Sequence, residues 1–113
     1  MPTFQNPTAD AAEASEALRG LAHATRVFEE PADTYTVLGD LLAGVRSLRQ
    51  VLDQLATAHA RNQVRAYDDT GNQGAGASHA LTAAAALRHA AVLLDGVHEQ
   101  VDAAMGASGR IAW

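Results

Sequence analysis

The sequence predicts an all-α chain of three helices: a short first helix, then a long second and third helix folded back on each other as an antiparallel hairpin. Three observations predict it. Apolar residues recur at alternating spacings of three and four along residues 34–66 and again along 84–105, the mark of helices packed lengthwise. Alanine, the strongest helix former, supplies 26 of the 113 residues. No stretch alternates apolar and polar residues as a half-buried strand would.

Helix 1 is expected over 10–30. Asp10 with Glu13 three residues on is a capping-box variant. Pro2 and Pro7 hold the lead-in irregular, and Glu30-Pro31 ends the helix, because the residue before proline avoids helical angles. Its stripe is Ala14, Leu18, Leu21, Thr25 and Phe28. The link Pro31-Ala-Asp33 is so short that helices 1 and 2 become antiparallel neighbours.

Helix 2 is expected over 34–67, capped by Asp33 or Thr34. Its seam reads Leu38, Leu41, Val45, Leu48, Leu52 and Leu55, then turns polar at His59 and Asn62 before Ala66. Residues 70–77, Thr-Gly-Asn-Gln-Gly-Ala-Gly-Ala, are expected to form a flexible glycine-rich loop. Helix 3 is expected over 78–105, with Ser78 as cap and Gly106 as stop. Its seam is Ala84, Leu87, Ala91, Leu94, His98, Val101 and Met105, widened on one side by Ala90, Val97 and Ala104. The tail, 106–113, is expected to dock through Ile111 and Trp113. A hairpin turning near Asn72 sets His59 level with about Ala86, which leaves His59 and His98 ~18 Å apart along the axis.

Alanine contributes little buried area, and beside it stand only 12 Leu, 8 Val, one Ile and two Phe. Such a core is thin for one domain of this length, and association with a second copy would enlarge it. Helix 1 reaches only ~30 Å against ~45 Å for helices 2 and 3. It therefore covers only the first part of helix 2, and the distal prong stays uncovered. A homodimer completing the bundle there is expected to use His59, Asn62, Arg65, Ala84 and Ala91.

The charge is −5 with no lysine, and the eight arginines are scattered. That balance argues against nucleic acid or an anionic membrane as partner. No apolar run reaches the ~20 residues of a membrane span, and residues 1–10 lack a signal-peptide pattern, so the expected location is cytoplasmic. Without cysteine there is no disulfide and no thiolate metal site.

The sequence assigns no catalytic residue, no cofactor and no metal. Asp95-Gly-Val-His98 has the i, i+3 spacing of carboxylate-bridged di-iron bundles, which use Glu-x-x-His twice plus two further glutamates. This chain has one Asp-x-x-His and no glutamate on the helix 2 seam. Gly71–Gly76 follows a helix and lacks Gly-Lys-Ser/Thr, so it makes no phosphate cradle. Arg46, Arg49, Arg61 and Arg65 are spaced to pair within the chain, with Asp53 or with acids of helix 3.

The runs Tyr35-Thr-Val-Leu-Gly-Asp-Leu-Leu and Leu48-Arg-Gln-Val-Leu-Asp-Gln-Leu55, with the ending Ser108-Gly-Arg-Ile-Ala-Trp113, resemble small Ala/Arg-rich helical proteins of high-GC Gram-positive bacteria. The resemblance implies a source and no activity. Size and hairpin are also similar to the secreted WXG100 helical-hairpin family. Its Trp-x-Gly turn is replaced here by Tyr67-Asp-Asp-Thr-Gly71, and its Tyr-x-x-x-Asp/Glu signal is absent: Gly39 follows Tyr35 and Gly71 follows Tyr67. The expected function is a non-enzymatic, self-associating interaction module. A WXG100-like secreted protein and a metal-binding bundle enzyme are its rivals.

Overall fold

Asparagines cap two of the three helices, and both were passed over by the sequence signals. A computed structural model describes residues 1–113. It contains α1 (Pro7–Ala24), α2 (Asp33–Arg61), a 3-10 turn (Gln63–Arg65) and α3 (Gln73–Ser108), and no strand. The chain divides into two compact units, Met1–Thr34 with Trp113, and Tyr35–Ala112.

In the first unit Asn6 caps α1, its side-chain oxygen accepting from Ala9 N–H at 3.2 Å. Pro7 follows at the first helical position, where the missing N–H costs nothing and the fixed φ suits a helix. A residue expected to forbid the helix thus opens it. Asp10, expected as the cap, lies inside the first turn and accepts from Thr3 N–H at 2.7 Å, Thr3 Oγ1 at 3.1 Å and Phe4 N–H at 3.1 Å. The Thr3 N–H bond is the main reason its carboxyl sits below the ordinary range. Those bonds tie down a lead-in in which Phe4 takes a positive φ of 62°. α1 ends at Ala24, before the proline signal, with Thr25 N–H returning to Leu21 O. Along the expected stripe, Leu21, Thr25 and Phe28 are half-buried, while Ala14 and Leu18 are exposed.

In the second unit α2 and α3 pack against each other as an antiparallel hairpin. The turn is held by hydrogen bonds. Asp68 Oδ1 accepts from Thr70 N–H (2.9 Å), Thr70 Oγ1 (2.6 Å) and Asn72 N–H (2.8 Å), and Gly71 adopts φ +84°. Asn72 then caps α3 through Ala75 N–H at 2.9 Å. Three of the eight residues expected to be flexible are therefore turn residues or the cap, the other five are helical, and the helix starts at Gln73, not Ser78. Low helix propensity at Gly74 and Gly76 is overridden by a tertiary contact: a Cβ at Gly76 would collide with backbone atoms of Ala66 and Tyr67. Only glycine lets the chain leaving the 3-10 turn cross α3 this closely.

The α3 seam is the expected one. Ala84 and Ala91 are fully buried, and Leu87, Leu94, His98, Val101 and Met105 are half-buried. On α2 the expected Leu38, Leu41, Val45 and Leu52 are half-buried, but the inner stripe also takes in Leu42, Arg49, Ala56 and Ala60, and Ala56 is its fully buried member. The expected stripe kept a strict seven-residue repeat, which rotates ~20° per heptad around a straight helix. By its distal half it had drifted onto the flank, to Leu48, Leu55, His59 and Asn62, all exposed. α3 continues past the expected stop to Ser108. Ile111 is 48% exposed and Trp113 67% exposed at the end of the chain.

Candidate functional site

Contacts across the hairpin are symmetric about Asn72. Arg46 meets His98, Arg49 meets Asp95, Gly39 faces Met105 and Gly109 faces Tyr35, each pair equally far before and after that residue. This register agrees within a residue with the one derived from the turn position alone.

The register assembles a polar clasp midway along the helices. Arg49 Nε donates to Asp95 Oδ1 at 2.6 Å and its NH2 donates to Asp95 Oδ2 at 3.2 Å, while its NH1 donates to Asp53 Oδ2 at 2.6 Å. Arg46 Nε donates to His98 Nε2 at 2.9 Å. Val45 and Leu94 complete an open cleft of about 240 Å³ over these groups. The planar guanidinium meets the Asp95 carboxylate through two parallel bonds, a geometry that fixes register as well as charge. The sequence reading that arginines of helix 2 pair with Asp53 and with an acid of helix 3 holds for Arg49.

The clasp engages both members of the Asp-x-x-His pair. Asp95 and His98, the Asp-x-x-His pair, each turn to a guanidinium, and the Nε2 lone pair of His98 is occupied while Arg46 donates to it. No three His, Asp or Glu side chains converge into a metal-sized set. The Asp95 carboxyl sits below its ordinary range, chiefly through the Arg49 hydrogen bond, and Arg49 is raised by the same contact. The sign is that of a depressed carboxylate. Its stabilisation is complete above the unfolded value, near pH ~4, and is lost as pH falls through the folded one. Asp68, lowered chiefly by the Thr70 hydroxyl, acts in the same direction. Urea midpoints should therefore fall from pH 7 to pH 3, and less steeply in Asp95→Asn. Equal slopes in the two proteins would remove Arg49–Asp95 as a contributor.

The expected interface residues part company. His59 and Asn62 line an open groove at the distal end with Ala58, Ala66 and Ala80, and Arg65 is linked to them through Asn62. Their polar atoms are engaged locally: His59 Nδ1 lies 2.7 Å from Leu55 O, Asn62 Nδ2 donates to Ala58 O at 2.7 Å, and Arg65 NH1 donates to Asn62 Oδ1 at 3.3 Å. Ala84 and Ala91 are not with them. At 0% exposure they fill the hairpin's own seam and offer nothing to a further helix. The reason is size: a methyl group lets two helices approach until no surface is left over.

A surface that the sequence reading absorbed into the seam lies elsewhere. Two residues along a helix are ~200° apart, so Leu48 leaves α2 on the flank opposite Arg46, and Val97 leaves α3 opposite Asp95. The clasp marks one side of the hairpin, and Leu48 and Val97 mark the other. They are 46% and 45% exposed. The available signal was the leucine repeat itself, read as one seam where the helix carries two adjoining stripes. By length and composition α3 is also long and apolar enough to cross a membrane.

The fold and site thus define the class as an all-α helical hairpin with a polar clasp on one side. Compared with protein-family models, curated proteins and solved structures, the chain gives no match.

Proposed function

We propose that this protein is a non-enzymatic helical module that works by self-association, as a homodimer that presents helical surface to a protein partner. One observation carries this reading. The fully buried apolar side chains are three alanines, Ala56, Ala84 and Ala91, whereas Leu48, Val51, Leu55, Leu93 and Val97 stand half-exposed on the hairpin. Apolar burial stabilises by ~25 cal/mol per Å², and methyl groups supply little of it. The large side chains that would supply more remain available to a second subunit.

Light scattering over a dilution series tests the proposal. The expected mass is twice that of the 11.8 kDa chain, with dissociation only at high dilution. A mass equal to one chain at every concentration overturns it.

A further inference from the structure

We propose that the Asp95–Gly96 junction of α3 is a modification site, where aspartate isomerises spontaneously to isoaspartate and Arg49 restrains the reaction. Of the eight aspartates and three asparagines in the chain, Asp95 alone precedes glycine. Glycine has no side chain to keep its own backbone nitrogen away from the preceding carboxyl, and it is a poor helix former. The junction lies inside α3 and is open to water, the Asp95 side chain being 57% exposed.

The chemistry needs only water. The backbone nitrogen of Gly96 attacks Asp95 Cγ and a C–N bond forms. The Gly96 N–H proton and the carboxyl hydroxyl leave together as water, and a five-membered succinimide results. Water then adds to one of its two carbonyls and opens the ring. Opening at Cγ restores aspartate. Opening at the main-chain carbonyl leaves the chain running through Cγ, which is isoaspartate of unchanged mass.

The folded hairpin opposes the first step in three ways. Within α3 the Gly96 N–H is directed to Val92 O, four residues back. Ring closure must break that bond and rotate Asp95 out of the helical ψ. Arg49 Nε and NH2 hold both carboxylate oxygens, at 2.6 and 3.2 Å, so Cγ turns toward Gly96 only by giving up bonds that reach across to α2. The same contact holds the carboxyl below its ordinary range, and an ionised carboxylate has no hydroxyl to lose as water. Once formed, isoaspartate adds one carbon to the main chain between Leu94 and Gly96. The pairs Arg49–Asp95 and Arg46–His98 then no longer share one register.

Peptide mapping by electron-transfer dissociation, which tells isoaspartate from aspartate, tests the proposal after prolonged incubation at mildly acidic pH. In guanidinium chloride, wild type and Arg49→Gln should react equally fast, with Asp95 ahead of every other aspartate. Denatured chains in which another aspartate leads would overturn the site. In the folded state Arg49→Gln should react at least ~5-fold faster than wild type, the scale of one charge-assisted hydrogen bond lost. Amide hydrogen exchange at Gly96 reports how often the helix opens in each protein. If isoaspartate rises no further than that exchange does, opening alone controls the site and restraint by Arg49 is overturned. Equal folded rates overturn it as well. Gly96→Ala, whose Cβ meets open space, should suppress the product at Asp95. Should Arg49→Gln lose its helical circular dichroism, Arg49→Lys decides, because lysine keeps the charge without the two-bond fork. It should react faster than wild type, and a rate equal to wild type overturns the restraint.

Discussion

Gly76→Ala should be the most damaging single-methyl change in the hairpin, lowering stability by about 1–3 kcal/mol despite alanine's better helix propensity. Gly76 is buried inside the first turns of α3. The added Cβ would meet the carbonyl carbon of Ala66 and the N and Cα of Tyr67. These are backbone atoms and cannot rotate aside as a side chain would. The segment they belong to follows a 3-10 turn whose N–H groups are already bonded, Arg65 to Asn62 O and Ala66 to Gln63 O. Relief requires the turn to lift off α3, undoing the Gln73 Nε2 to Gln63 O bond at 3.2 Å that crosses the same gap. Each kcal/mol lowers the midpoint of a domain this size by ~4 °C or more, so thermal melts followed at 222 nm resolve the effect. Gly96, whose Cβ would meet open space, is the matched control. A Gly76→Ala protein that melts with or above wild type would show that the close crossing does not hold in solution.

Ala84→Leu should be the second large effect, and it separates the two roles that this residue has been given. If Ala84 faced a partner, a larger apolar side chain would leave the single chain intact and alter association. It is instead fully buried between α2 and α3, where three extra carbons must push the helices apart. Overpacking of this kind costs about 1–3 kcal/mol, and Ala91→Leu, one heptad further on, should behave alike. The neighbouring Ala85 is exposed, and Ala85→Leu should stay within ~0.5 kcal/mol of wild type. Melts must be compared at one protein concentration, because association alone shifts the midpoint. Wild-type stability in Ala84→Leu would mean that the hairpin seam is looser than its alanines suggest.

Both changes act on the same design. A seam of methyl groups lets α2 and α3 approach closely, so buried area per residue is small and positional demands are strict. The clasp adds directional contacts where the seam offers few: Arg49 reaches Asp95 on α3 and Asp53 on α2 simultaneously. Its carboxylates are exposed, so its contribution lies in register and in the acid sensitivity expected above.

The sequence by itself determined the all-α class, the two long helices, the α3 seam from Ala84 to Met105 and the register about Asn72. These follow from local rules: apolar spacing reports the helical period, and the position of a turn fixes which residues face each other. The pairing of Arg49 with Asp53 and Asp95 was legible for the same reason. Only the tertiary structure decided that Ala56 faces inward while its larger neighbour Leu55 lies on the flank, and that α3 starts through two glycines at Gln73. It also decided that Ala84 and Ala91 belong to the chain's own core. Each of these depends on how closely two helices approach, which side-chain size sets jointly on both helices and no single stretch encodes. A periodic pattern shows that a stripe is apolar, whereas the distance to the neighbouring helix decides which edge of that stripe is buried.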